Sequence, residues 1–373
     1  MKIFTLGKKL TVSLLYMGFT SFLLLEAVFR FLPVSESVQI QPVTAKSPIA
    51  HFRENRVVTL QIGFDFSHVV EKRINNFGFM SDTDFAAERH PNVGRTVIIG
   101  DSFVEAFQVT NSKTFHGIIS KAVKGVEVYP IGISGAPLSQ YLAYAEFAEQ
   151  TFNPDKYVFV IIANDFDESL LKNKAAPPHH YFTSSGSLAL STFEPNRLAQ
   201  IVIKSAFIRY LYFDLKLSHR LQDLLRKLGN SNDEEHEEAV PQEQQLRDDA
   251  FFAVRNFLKI LETKVQGKPV LLVLDGDRQA IYANKTSERG NSWWSEAFEL
   301  IVSESVNYPN VQILDLHPIF FERWKSTQQK FEYPYDSHWN ERGHEVVAKA
   351  ILETSFIPQA PPSGKSTKLK WEE

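Results

Sequence analysis

The chain has no cysteine among its 373 residues. That absence excludes a disulfide framework, a thiolate-held zinc or iron–sulfur site and a cysteine nucleophile, and it leaves the redox compartment unread. A dominant charge is missing too, because 40 Lys and Arg stand against 44 Asp and Glu for a net charge of −4. Nothing global therefore suggests a protein held to nucleic acid by phosphate contacts. Internal repeats are absent, and a hydrophobic fraction of 43% with 30 Phe excludes a mostly disordered or collagen-like chain. At roughly 100 to 200 residues per domain, the length allows two domains or one large domain with additions. Long apolar runs are lacking as well, with one exception at the start.

Lys2, Lys8 and Lys9 precede an apolar run from Leu10 to Leu25, which continues through Glu26-Ala27-Val28-Phe29-Arg30 to Leu32. About 23 residues at 1.5 Å each make a helix of roughly 34 Å, enough to cross a bilayer. Glu26 and Arg30 are four apart near the outer end, where pairing and snorkelling limit the cost of their charge. A cleaved signal peptide is the competing reading. Its apolar region is usually 7 to 15 residues and ends at a small-x-small site, for which only Ser35-Glu36-Ser37 is available. A buried core helix is the third. For an anchor, three lysines before the span and none after it until Lys46 put the amino terminus in the cytoplasm. The expected organisation is then a cytoplasmic terminus (1–9), a single inner-membrane anchor (10–32), a polar, Pro-bearing linker (33–57), a periplasmic domain (58–356) and a disordered tail (357–373).

Within that outward part, short β-branched runs at Thr96–Gly100, Val126–Ile131, Tyr157–Ala163, Val270–Asp275 and Val311–Leu314 alternate with helix-like stretches. Continuous apolar strands between helices predict a parallel sheet covered on both faces, a three-layer α/β domain with five strands. Between the third and fourth strands the chain inserts a helical segment at about 176–255. There Leu198, Ile201, Val202, Ile208, Leu211, Leu215, Leu221, Leu224, Leu225 and Leu228 recur at helical steps. Such a stripe covers the sheet, packs in a lid, or docks to a membrane or partner, since Lys204, Arg209 and Lys216 stand beside Phe207, Tyr210, Tyr212 and Phe213. The charge run Gly229 to Glu238 reads as a solvated loop rather than a metal site.

In open α/β sheets ligands bind outside the carboxyl ends of the strands. The first strand ends Gly100-Asp101-Ser102, so Ser102 stands where a nucleophile would be placed. The second ends Gly132-Ile133-Ser134-Gly135, where a glycine lets a backbone N–H approach a ligand, and the third ends Ala163-Asn164-Asp165, presenting an amide. Near the carboxyl terminus comes Asp336-Ser337-His338-Trp339-Asn340-Glu341-Arg342-Gly343-His344. Each fragment alone fits a turn, a cap or a surface histidine. Together, in this order and at strand ends, they suggest one site.

These residues resemble the blocks of the SGNH or GDSL-type serine hydrolases: Gly100-Asp101-Ser102 the first, Gly135 the glycine block, Asn164 the asparagine block, Asp336 with His338 the last. The likeness covers about Asn75 to Ala350. Asn76-Phe77-Gly78-Phe79 and the anchor are similar to membrane-tethered bacterial members that handle envelope polysaccharides. The resemblance implies a flavodoxin-like sheet, no cofactor, no metal, and hydrolysis or transfer of ester-linked acyl groups. Three positions depart from the pattern. The acid commonly stands three residues before the histidine, where this chain has Tyr335, and Asp336 is two before. Ala163 and Ala106 replace frequent glycines.

What the resemblance implies for mechanism is a Ser102 nucleophile, His338 as base, with His344 the alternative, and Asp336 fixing the imidazole tautomer. The backbone N–H groups of Ser102 and Gly135 and the Asn164 amide would meet the oxyanion. The function expected is a membrane-anchored serine esterase removing O-acyl groups, such as acetyl, from an extracytoplasmic glycan. An O-acyltransferase fed by a multi-pass membrane acyl carrier is the alternative, and a non-enzymatic envelope binding protein the third.

Overall fold

In the computed structural model, residues 2–45, 47–194, 196–217, 239–284, 286–334 and 336–358 are described. The elements begin with α1 (Lys2–Phe29), β1 (Arg56–Ile62), β2 (His68–Ile74), β3 (Gly94–Gly100), α2 (Ser102–Glu105), α3 (Phe115–Ala122), β4 (Val126–Gly132), α4 (Leu138–Phe152) and β5 (Lys156–Ile161). They continue with β6 (His180–Phe182), β7 (Leu188–Leu190), α5 (Arg197–Val202), α6 (Ala206–Arg209), α7 (Ala239–Lys264), β8 (Val270–Leu274), α8 (Arg278–Asn284) and α9 (Trp293–Ser305). Last come β9 (Val311–Asp315), α10 (Leu316–Thr327), β10 (Glu332–Tyr333), β11 (Asp336–Trp339) and α11 (Glu341–Glu353). Contacts divide the chain into two units: residues 1–38, 57–71 and 194–233, and residues 39–56, 72–193 and 234–373.

The second unit is built on a five-stranded sheet in the order β4-β3-β5-β8-β9. Every neighbouring pair is parallel, as the run of apolar strands predicts, and each expected strand lies within two residues of its place. Because β3 feeds β4 on one side and the chain then returns past it to β5 on the other, the direction of travel reverses at β3. Such a reversal opens a crevice at the carboxyl edge. Alternate residues serve the two faces. Ile98, Val128, Val158, Val160, Leu271 and Val273 pack in one cluster with Phe115, Ile119, Phe320, Trp339, Val347 and Ile351 from α3, α10, β11 and α11. On the opposite face Tyr129 meets Phe152 of α4 and Phe159 meets Phe257 of α7, both edge to face. Complete burial of each such aliphatic or aromatic side chain contributes about 1.5–3 kcal/mol before entropy is counted.

The segment read as a linker is partly packed: Ile49, Ala50 and Phe52 are buried. The Asn75–Phe79 turn is tied by Asn75 Oδ1, which accepts the N–H groups of Phe77 and Phe79, each at 3.0 Å. Gly78 has φ +78°, and a Cβ there would lie 2.3 Å from the Phe52 carbonyl oxygen, which is why only glycine fits. Ile357, placed by the sequence at the head of the tail, is buried in the core. Residues 359–373 lie outside the described residues, as do the charge run through Glu238, Leu221, Leu224, Leu225, Leu228 and Tyr335.

In the first unit, α1 carries the stretch Thr11–Phe29, which by length and composition could cross a membrane and none of which is buried. A buried core helix is thereby ruled out, and the helix fits a single-pass anchor or a signal sequence. Of the amphipathic stripe, Ile208, Leu211 and Leu215 are half-buried while Leu198, Ile201 and Val202 are exposed.

Candidate active site

β3 is buried along almost its whole length and stops at Gly100. Asp101 then caps α2 by accepting the Phe103 N–H at 2.9 Å, which leaves Ser102 as the first helical residue, 7% exposed. The turn is tight because α2 presses back onto the sheet. A Cβ at Gly100 would come within 2.4 Å of Val104 Cγ2, and one at Gly132 within 2.7 Å of Val104 Cβ.

His338 and Asp336 arrive on β11, two residues apart. Side chains at i and i+2 of a strand share a face, so an acid two before the histidine serves here where a turn would need another spacing. The Ser102 hydroxyl lies 2.8 Å from His338 Nε2, and His338 Nδ1 lies 2.5 Å from Asp336 Oδ1. Asp336 Oδ1 also accepts the His338 backbone N–H at 2.9 Å, and Gln108 Nε2 reaches its two oxygens at 3.3–3.4 Å. Burial alone would raise the Asp336 pKa, but the hydrogen bonds and charge of His338 and the Gln108 amide together hold it below the usual carboxylate value. The Ser102 hydroxyl has a second acceptor in reach, Asp101 Oδ2 at 3.1 Å; the imidazole is the nearer. Phe103 and Phe107 flank the imidazole, their ring centroids 4.9 and 6.1 Å away. His344 stands elsewhere: it is 1% exposed, stacks on Phe115 and takes the Phe115 N–H on Nδ1 at 3.3 Å. Burial pushes its pKa well down.

Gly135 takes φ +80°, a conformation that favours glycine, and its N–H makes no hydrogen bond among the described residues. Asn164 sits on a turn pinned by the buried Asp165, which accepts the Ile162 N–H and the Tyr141 hydroxyl, both at 2.8 Å. Lys174 joins these two places. Its ammonium donates to the Gly135 carbonyl at 3.2 Å and pairs with Glu168, which in turn accepts from Asn164 Nδ2 at 3.3 Å.

Two buried ionisable side chains support α2. Glu105 accepts the Ser134 N–H, so a residue of α2 holds the loop that presents Gly135. Lys72, fully buried, donates to the carbonyls of Ala106 and Val109 at 2.9 and 2.8 Å. Desolvation drives its pKa down to about 7 against the opposing pull of Glu105 and Asp82. Ala106 itself ends α2 with φ +49°, a left-handed conformation that an L-residue adopts at a cost.

A cavity of about 260 Å³ is lined by Phe103, Asn164, Arg278, Trp294, Phe298 and Ser337, among others. Arg278 is fixed over the Phe103 ring at 5.6 Å and donates to the Ser337 carbonyl at 2.8 Å. A larger groove of about 590 Å³, lined by Lys113, Ile118, Lys121 and Arg342, includes none of these groups; the smaller one is lined by Phe103 and Ser337, the chain neighbours of Ser102 and His338. Among the described residues, no three His, Cys, Asp or Glu are grouped to hold a metal.

The arrangement can raise the nucleophilicity of Ser102 and carry its proton away. Of the residues that sequence reasoning missed, Glu105 was findable, three after Ser102 on the same helix. Gln108 and Glu168 lie within six residues of Ser102 and Asn164 but carry no mark of their partners, and Lys72, Lys174 and Arg278 enter from segments with no block around them.

No family profile matches the sequence, and no curated protein does. Among solved structures the chain is similar to a member of the lipolytic G-D-S-L family from Veillonella parvula (12% identity, TM-score 0.39, 70% of this chain and 97% of the other). An alpha/beta hydrolase from the metagenome of Lake Arreo gives 13%, 0.38, 70% and 94%. A two-domain esterase active on acetylated mannans gives 11%, 0.35, 70% and 48%. Likeness this distant leaves the chemistry to be argued from the residues themselves.

Proposed function

We propose that this chain is a serine esterase of the SGNH type, anchored by α1, that removes O-acyl groups, acetyl first among them, from an extracytoplasmic glycan. One observation carries the chemistry: the unbroken hydrogen-bonded series from Ser102 Oγ through His338 to Asp336. His338 Nε2 takes the hydroxyl proton as Oγ attacks the ester carbonyl, while Asp336 holds the Nδ1–H tautomer and offsets the imidazolium charge. The carbonyl oxygen becomes an oxyanion, met by the N–H groups of Ser102 and Gly135 and the Asn164 amide. Collapse expels the sugar alkoxide, to which His338 returns the proton. Water, deprotonated by the same imidazole, then releases the acid and restores Ser102. A sugar hydroxyl in place of water would make the same cycle a transfer.

The cavity supports a small acyl ester on a sugar. About 260 Å³ bounded by Trp294, Phe298 and polar groups such as Asn164 and Arg278 suits a ring face and a few hydroxyls better than a long alkyl chain. Lys2, Lys8 and Lys9 ahead of the apolar stretch favour an amino terminus in the cytoplasm and catalysis outside it.

Full-length protein in detergent is to be incubated with acetylated glycans and with a chromogenic acetyl ester, acetate release being scored against transfer to added sugar. A serine-directed fluorophosphonate is expected to label the parent and not Ser102→Ala. Persistent label on Ser102→Ala, or undiminished acetate release by it, would remove the assignment.

A further inference from the structure

Glu26 stands on α1, three residues before its end, and its carboxylate serves another element. It accepts from Ser205 Oγ at 2.5 Å and from the N–H groups of Ala206 and Phe207 at 3.2 and 3.1 Å, capping the first turn of α6. Arg30 Nε completes the set at 2.8 Å. An acid in this place is costly unless paired, and here every partner lies just past the end of α1 or at the start of α6. Aromatic rings extend the contact. Phe207 lies against Phe22 and Phe29 with centroids 6.1 and 5.3 Å apart, and Tyr210 against Phe29 at 4.5 Å. Phe22 and Phe29 are seven residues apart, about 10 Å along a helix. The start of α6 is therefore level with the last two turns of the apolar helix.

Immediately before α6, α5 leaves Leu198, Ile201 and Val202 exposed at 73%, 62% and 46%. They stand at i, i+3 and i+4, which is one helix face. Lys204 follows, also exposed. An aliphatic face leading directly into the element that meets the apolar helix end, with a lysine at its border, has the composition of a segment lying in a membrane interface.

We propose that α5 and α6 form an interfacial element, in which Leu198, Ile201 and Val202 enter the headgroup–acyl boundary of the leaflet where α1 ends and Lys204 meets lipid phosphate. This rests on α1 crossing the bilayer, as proposed above. The occupant is lipid rather than a second copy of the chain because Glu26, Phe22 and Phe29 hold the start of α6, which follows directly on α5, at the level of the span's final turns.

The absence of native cysteine makes the test clean. Single Leu15→Cys, Leu198→Cys, Ile201→Cys and Val202→Cys variants of the full chain are labelled with an environment-sensitive dye and reconstituted in vesicles of phosphatidylcholine and phosphatidylglycerol. Quenching by aqueous iodide is compared with quenching by lipids carrying a nitroxide near the headgroup or deep in the acyl chain. All three α5 positions are exposed, so the labels do not disturb a core. The expected result is at least three-fold stronger quenching of the α5 labels by the shallow nitroxide than by iodide, with Leu15 quenched most by the deep one. Iodide-accessible α5 labels with Leu15 in lipid would overturn the interfacial element alone. Labels shielded from both quenchers would show a protein cover, a second copy or another partner, and would overturn it equally. A Leu15 label outside the lipid would remove the anchor and the inference together.

Discussion

At the residue scale, a nucleophile, its base and its oxyanion donors are of use only as a unit. Ser102→Ala and His338→Ala are each expected to lower kcat for a chromogenic acetyl ester by about 10⁴-fold or more, and the double variant little further. Asn164→Ala is expected to cost about 10²- to 10³-fold in kcat with KM nearly unchanged, because its donor meets charge present only in the transition state. Glu105 acts through another group. Glu105→Gln keeps an acceptor for the Ser134 N–H and is expected to retain most of the turnover that Glu105→Ala loses, with KM moving in neither. Equal losses in both would assign Glu105 a role through its charge. Ala106 shows a local cost borne by the sequence. At φ +49° an L-residue is strained, so Ala106→Gly is expected to raise stability by up to about 1 kcal/mol in urea unfolding, the strain relieved exceeding the added chain entropy.

At the element scale, the site exists because α2 lies flat against β3 and β4. Gly132→Ala would set a Cβ 2.7 Å from Val104 Cβ and 2.8 Å from the Asp101 carbonyl oxygen. Overpacking of this kind costs about 1–3 kcal/mol, and the movement it forces falls on the turn that carries Ser102. The variant is expected to unfold at lower urea and to lose activity well beyond its loss of folded protein. β11 has the opposite character, a short strand whose two-residue period alone aligns Asp336 with His338. For α6 the decisive link is Glu26. Glu26→Ala leaves the N–H groups of Ala206 and Phe207 without their cap, a loss of about 0.5–2 kcal/mol. A label at Ile201 in that variant is expected to become more accessible to iodide.

At the scale of the whole molecule, pH reports on the buried lysine. Lys72 has a pKa of about 7 in the fold against roughly 10.4 in an unfolded chain. Below about pH 7 it is charged in both states and the full desolvation cost is carried. Between these values the unfolded state binds more protons, so stability contributed by this group rises with pH. Urea midpoints of the parent between pH 6.5 and 9 are expected to climb relative to those of Lys72→Met, which loses the proton-binding difference along with the bonds to Ala106 and Val109. Parallel profiles would mean that Lys72 keeps its proton throughout. Topology is tested separately. A periplasm-active reporter fused after residue 60 is expected to be active and a cytoplasm-dependent one silent, and an amino terminus found near residue 38 would instead indicate cleavage.

The sequence by itself determined the strands, the layer architecture and the apolar helix, because those depend on local periodicity, run length and the glycine or polar residue that ends each run. It also singled out Ser102, Asp336 and His338, which the fold joins by hydrogen bonds, and offered Gly135 and Asn164, which stand at strand ends, as candidate donors. Position in the sequence favoured His338, because His344 follows Gly343 and falls within the last helical stretch, and packing supplies the physical reason. Six residues apart, both lie near the start of α11, and only the packing of Phe115 and Trp339 turns His344 inward while β11 carries His338 toward Ser102. Glu26 and Arg30 read as a pair near the outer end of the apolar span until tertiary contact gave the acid a second task at α6. Lys72 and Lys174 carry no mark in the sequence of the carbonyls they bond. A charged side chain is legible in sequence as solvated by default, and only folding, by removing water around it and supplying a carbonyl or carboxylate from a distant segment, decides that it is structural.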